Sequence, residues 1–181
     1  RVLFRSRVAY DYQFQGQPFY ESPYRPEQAD RKRRIRRAFD YAFEAPVVAG
    51  GGLPKMTLHQ IGLDAFDLLG ATVVPLRLHH GAFEVLGFRI GNVAYCTDTN
   101  EIPEQTWPLL KGLDVLVLDC LRPAHHPTHF SIDEAVDVAQ RIAARETYFV
   151  HMSHEIDHNS VSSLLPASMR LAYDGLALPL S

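Results

Sequence analysis

Leu113-Asp114-Val115-Leu116-Val117-Leu118-Asp119, then Ser131-Ile132-Asp133-Glu134, then Thr147-Tyr148-Phe149-Val150-His151 form the stretch whose reading decides the fold. Val115 to Leu118 is a continuous apolar run, the pattern of a strand covered on both faces rather than one. Ser131 to Glu134 is a capping box, in which the serine hydroxyl serves the amide of Glu134 and the glutamate reaches back to the serine amide. Behind it, Ile132, Ala135, Val136, Ala139, Ile142 and Ala143 recur on one helical face. The helix ends near Arg145, and Thr147 to Val150 reads as the next buried strand, closed by His151. Strand, helix, strand in that order predicts an α/β domain with parallel strands.

Upstream the rhythm is that of hairpins. Ala71 to Leu78 leads into His79-His80-Gly81, and Phe83 to Ile90 pairs with Val93 to Thr97 through Gly91-Asn92. Pro103 to Lys111 reads as a short helix. Downstream, Met169 to Tyr173 and Leu176 to Leu180 flank Asp174-Gly175, which predicts a further hairpin. Residues 27–44 read as a helix ended by Pro46 and the Gly50-Gly51-Gly52 loop, and residues 7–30 as irregular structure or edge strands. Its run Arg31-Lys32-Arg33-Arg34-Ile35-Arg36-Arg37 reads first as a solvated basic face, with an anion or RNA contact as the alternative.

The whole is expected to be a single domain, 1–181, of ordinary soluble composition: 46% hydrophobic and 22% charged over 181 residues, enough for one core. The net charge of −3 argues against non-specific nucleic-acid affinity. No run reaches about 18 apolar residues and no signal peptide is evident, so the expectation is a cytoplasmic protein without a membrane partner. Cys96 and Cys120 lie in apolar runs and read as reduced core residues. The first residue is not methionine, and Arg1 to Ser6 share no periodic pattern with the residues after them; the reading is a fragment whose residues 1–6 are foreign to it.

Eight of the nine histidines fall after residue 78, in the clusters His79-His80, His125-His126-Pro127-Thr128-His129 and His151-Met152-Ser153-His154, with His158 beyond. Imidazole and carboxylate converging from several segments are what a water-activating metal site is built from. Asp98, Asp119 and His151 each fall at the C-terminal end of an expected strand, where α/β sheets place catalytic groups. Each has a plainer reading: Asp98 as a helix N-cap, His80 as a turn residue, His129 as a packing residue, Asp119 as a solvated strand end. His151 is the sharpest, since a histidine closing an apolar strand must find partners for its ring nitrogens. Asp119 could orient a ligand histidine. His154-Glu155-Ile156-Asp157-His158 matches the H-E-x-x-H pattern, but that motif needs one helix carrying both histidines and a third ligand, and no His or Glu comes after His158.

The ordered segments LHHG, LGFRIGNVAYCTD, LDVLVLDCLRPAHHPTHFSIDEAVDVAQRI, TYFVHMSHEIDH and LAYDGL resemble the metallo-β-lactamase superfamily, in particular its phosphoribosyl cyclic phosphodiesterase branch. RRAFDYAFEAP and GGGLPKMTLHQI are similar to that branch too, so the resemblance covers about residues 31–181. It implies a four-layer αββα sandwich and a site of two divalent metal ions, zinc or manganese. It implies that His80 is a ligand of the first metal, that Asp98 bridges both, that His151 is a ligand of the second, and that His129 protonates the leaving group or clamps the phosphate. It implies a phosphodiesterase acting on a small cyclic or linear phosphodiester, with a tRNA-processing endonuclease or a non-catalytic remnant as alternatives.

The superfamily's H-x-H-x-D-H signature is absent from the chain, so the sandwich is expected to be incomplete, its N-terminal part missing, and the chain alone to lack a full dinuclear site. One sheet face should then be underpacked, and apolar surface of that kind favours association, so a homodimer is allowed for.

Overall fold

The structure, a computed structural model, describes residues 2–3, 19–20, 36–39 and 59–178. These fall in two compact units, one comprising residues 1–62 with 174–181 and the other residues 63–173.

In the first unit β1 (Val2–Leu3) pairs antiparallel with β11 (Ala177–Leu178), and β2 (Phe19–Tyr20) pairs in parallel with β3 (Gln60–Ile61). Of the helix expected over 27–44, Arg36, Arg37 and Ala38 are helical and exposed; the rest lies outside the described residues.

The second unit is a seven-stranded mixed sheet in the order β10-β9-β8-β7-β6-β5-β4. Its first half is an antiparallel meander of β4 (Phe66–Leu68), β5 (Ala71–His80), β6 (Phe83–Ile90) and β7 (Val93–Cys96). The β6–β7 hairpin turns on Gly91-Asn92 as expected, with Ile90 facing Val93 and Gly91 at φ +55°. From β7 onward the pairing is parallel, through β8 (Val115–Asp119), β9 (Glu146–Val150) and β10 (Met169–Leu171).

Between β8 and β9 runs α1 (Ile132–Ile142), with the expected capping box: the Glu134 amide donates to the Ser131 hydroxyl at 3.4 Å and the Ser131 amide to the Glu134 carboxylate at 2.8 Å. Ala135, Ala139 and Ile142 are buried in one cluster with Leu76, Leu78, Leu116, Leu118 and Phe149 of the sheet. Each of the larger side chains there contributes about 1.5–3 kcal/mol through burial. Ala143 is not part of that face: it is the exposed C-cap, at φ +56°, where the chain leaves the helix in a left-handed turn.

All five residues of β8 are buried, so this interior strand is covered on both faces. On the side away from α1, Val73, Val115, Val117 and Tyr148 are 2–6% exposed, while Ile90, paired with Val73, is 48% exposed. Cys96 and Cys120 are buried and unpaired.

Two local expectations fail. Trp107–Leu110 is a single 3-10 turn rather than a helix from 103 to 111, because Pro108 supplies no amide and Thr106 spends its hydroxyl on the Arg77 carbonyl instead of a cap. The Asp174-Gly175 turn exists, with Gly175 at φ +90°, but it joins no hairpin. Met169 and Leu171 are buried with Arg170 exposed between them, and β10 satisfies this pattern by adding in parallel to β9; β11 pairs with β1 instead.

Candidate metal centre

The parallel strands all end at one edge, and the histidines and aspartates gather there. β7 stops at Cys96, shortly before Asp98; β8 ends on Asp119; β9 ends at Val150, immediately before His151. His80 closes β5, which lies two strands from β7 and runs in the same direction, so its end falls on the same edge.

His129 sits at the middle of the group. Its ring stacks on His151 with centroids 4.6 Å apart, meets His80 edge-on at 4.7 Å, and is 8% exposed. Its Nδ1 lies 2.9 Å from Oδ2 of the fully buried Asp119, and its Nε2 lies 3.1 Å from Nε2 of His80. A carboxylate beside Nδ1 fixes the tautomer, since Nδ1 donates its hydrogen to Asp119 and the Nε2 lone pair is left facing His80. His80 must then carry its own hydrogen on Nε2 to fill that contact. Asp119 also accepts the Phe130 amide at 3.3 Å, which anchors the start of the capped helix to the same carboxylate. Burial pushes the Asp119 carboxyl above its ordinary value, with the His129 hydrogen bond pulling the other way.

His151 Nε2 pairs with Asp98 Oδ1 at 3.0 Å, both side chains partly exposed. That bond lowers the Asp98 carboxyl and raises the His151 imidazole from their ordinary values, against the opposite pull of burial in each. Asp98 stands at φ +53° and His151 at φ +67°, in the left-handed region that costs an L-residue about 1–2 kcal/mol. Two non-glycine residues held there in one ion pair mark a place where the surroundings dictate the backbone.

A strap of residues after Asp98 supports the group. The buried Thr99 hydroxyl donates to the His79 carbonyl at 2.8 Å, the Asn100 amide to the same carbonyl at 3.0 Å, and Asn100 Oδ1 accepts the Gly81 amide at 2.7 Å. Gly81 has φ +61°, and a Cβ there would lie 2.9 Å from Thr128 Cγ2. The turn carrying His80 and the loop carrying His129 are thus packed on one another through a glycine.

Two sets of donor atoms lie within 4.8 Å of one another: His80, Asp98 and His129, and Asp119, His129 and His151. Imidazole nitrogens with carboxylate oxygens at that spacing fit a divalent transition metal. The structure thus brings His80, Asp98 and His151 together around His129, which lies at the heart of the group. Three further histidines go elsewhere: His79 to Glu101 at 3.0 Å, His125 to Glu134 at 2.8 Å, and His158 to the Ser162 hydroxyl at 3.4 Å. The H-E-x-x-H pattern has no helix beneath it, since α2 (His158–Ser162) begins at its last residue, capped by Asp157.

The sequence did not single out Thr99, Asn100 or Gly81. A glycine after two histidines and a Thr-Asn after an aspartate carry no signal until the two segments are seen together.

A model of the beta-lactamase superfamily domain matches residues 27–152, across Asp98, Asp119 and His129. The chain belongs to that superfamily. Its fold is the α/β metallo-β-lactamase fold. A solved diphosphatase of the PhnP family is 35% identical, with a TM-score of 0.75, over 91% of this chain and 58% of that one. Human tRNase Z, short form, is 16% identical with a TM-score of 0.56, over 92% of this chain and 70% of that one, a likeness of fold alone. Among curated proteins, an octanoyltransferase of Porphyromonas gingivalis is 34% identical over 128 residues, 69% of this chain and 26% of that protein. The chain thus spans about a quarter of that relative, whose name describes a much longer protein. Among the described residues no helix is long and apolar enough to cross a membrane.

Proposed function

We propose that this chain carries the core of a phosphodiesterase acting on a small cyclic or linear phosphodiester, or on the related diphosphate esters. The observation that carries the reading is the convergence of His80, Asp98 and His151 on a His129 whose Nδ1 is held by a buried carboxylate. Its 35% identity to a PhnP-family diphosphatase supports the substrate class.

His80 would hold one divalent ion, His151 the other, and Asp98, with two carboxylate oxygens and partial exposure, would hold both. Zinc or manganese bound there would supply a water of lowered pKa and neutralise phosphate charge. His129, once its Nε2 lone pair has taken a proton from the attacking water, would pass that proton to the departing alkoxide. Asp119 occupies its Nδ1, so Nε2 is the one atom of that ring able to do so. The partner is then a small anionic ester rather than a nucleic acid or a membrane, in line with the net charge of −3.

The test is hydrolysis of bis(p-nitrophenyl) phosphate by the protein with added manganese or zinc. Asp98→Ala should lower kcat/KM by on the order of a hundredfold or more, the scale of losing metal charge stabilisation, while His154→Ala, outside the donor sets, should stay within about twofold. Equal losses would mean that the ligand was chosen wrongly within the last histidine cluster. No hydrolysis by the wild type with either metal would overturn the reading.

A further inference from the structure

His126 stands beside the centre and belongs to neither donor set. Its ring centroid is 5.1 Å from that of His129, tilted by 42°. The Thr128 amide donates to its Nδ1 at 3.3 Å, and the Thr128 hydroxyl lies at the same distance from that atom. A ring nitrogen that accepts an amide hydrogen carries none of its own, so the neutral ring bears its hydrogen on Nε2. Among the described residues that N–H has no protein acceptor.

The loop bearing it is held in place. Thr128 packs on Gly81, next to His80, and Gly81 is tied by Asn100 to the strap after Asp98. The one cation of the loop is already occupied: Arg122 Nε and Nη2 donate to the carbonyls of Ala124 and His125 at 3.3 and 2.9 Å. At this edge of the centre, the His126 Nε2–H is therefore the uncommitted donor, fixed in tautomer and half-buried.

We propose that His126 is a substrate-binding residue whose Nε2–H donates to a non-bridging oxygen of the phosphate ester at the centre. The proposal rests on the phosphoester reading above for its ligand, and on geometry for its donor. A neutral donor suits this place, because a second cation beside ions already holding the phosphate would compete with them. An N–H aimed at a non-bridging oxygen instead fixes which face of the phosphorus meets the attacking water.

The experiment pairs His126→Phe, which keeps a flat ring without a donor, with His126→Gln, which keeps an N–H. On bis(p-nitrophenyl) phosphate His126→Phe should raise KM about tenfold or more, the scale of a lost hydrogen bond to a charged group, with a smaller effect on kcat. Metal content by elemental analysis should match the wild type, and His126→Gln should recover most of the KM. An unchanged KM in His126→Phe would overturn the proposal, and so would loss of bound metal, which would make His126 a ligand.

A second readout needs no turnover: in 15N-histidine NMR of the wild type, the ring should be the Nε2–H tautomer, and titration with inorganic phosphate should shift that resonance. The other tautomer, or no shift at saturating phosphate, refutes it. If the wild type hydrolyses no phosphodiester, the proposed function falls while the phosphate titration still decides the role of His126.

Discussion

Asp119→Asn is the substitution that tests the centre most directly, because it keeps the shape of a fully buried side chain and removes its charge. In the wild type one oxygen accepts from His129 Nδ1 at 2.9 Å and the other from the Phe130 amide at 3.3 Å. An asparagine can accept only one of these with its oxygen; its amide group then faces the other donor. A buried donor left without an acceptor costs about 1–3 kcal/mol, and losing charge assistance at the remaining bond costs about 1 kcal/mol more. Against this stands the relief of burying an amide instead of a carboxylate, the same burial that pushes the Asp119 carboxyl upward. The net expectation is a loss of about 1–2 kcal/mol, read as a lower midpoint in urea at unchanged slope. Because Asp119 orients the ring proposed as proton donor, kcat on bis(p-nitrophenyl) phosphate should fall about 10–100-fold, the scale of losing a carboxylate that orients a histidine of the site. A variant with wild-type midpoint and wild-type kcat would refute the argument that Asp119 sets the His129 ring.

Gly81→Ala should destabilise by about 1–2 kcal/mol, because φ +61° and a 2.9 Å approach to Thr128 Cγ2 both exclude a Cβ; adding Thr128→Ser, which removes that methyl, should restore part of the urea midpoint, and strict additivity would count against the contact. Cys96 and Cys120, whose thiols burial pushes up to about 12, should resist alkylation at pH 8 in the native state and react at once in denaturant; rapid native labelling would contradict their burial. Burial opposes ionisation of Glu134, but the Ser131 bonds and His125 hold its carboxyl below the ordinary value, so its contribution to stability is present above the unfolded pKa and lost as pH falls through the folded one. Glu134→Gln should therefore be less stable than wild type near neutrality and converge with it in acid, as thermal melts across pH will show.

The parts of the fold that were legible are those whose signal is local. Val115 to Leu118 could only be a strand covered on both sides, and Ser131 with Glu134 fixed the start of α1 to the residue. Gly91 named its own hairpin. Asp174-Gly175 misled because a turn signal says that the chain bends, not which strand it pairs with; β10 was claimed by the apolar edge of β9, many residues away. The site divides in the same way. His80, Asp98 and His151 are visible as polar residues at the ends of apolar strands. The central place of His129 is not, because it depends on Asp119 being fully buried and on two histidines from distant strands closing over the ring. Nor could the sequence show that Gly81 is the point where the loops of His80 and His129 touch, a fact of packing with no periodicity behind it.

The left-handed backbone at Asp98 and His151 bears on how this protein should be engineered. Glycine at either position would relieve about 1–2 kcal/mol of local strain for about 0.5–1 kcal/mol of added chain entropy, and the partly exposed ion pair it removes contributes about 0–1 kcal/mol. A library sorted for heat resistance alone would thus tolerate glycine at the two residues proposed to hold metal. Screens for sturdier variants should carry a metal-retention gate from the first round, since the balance at these positions lies near zero and selection for heat resistance alone would not keep either side chain.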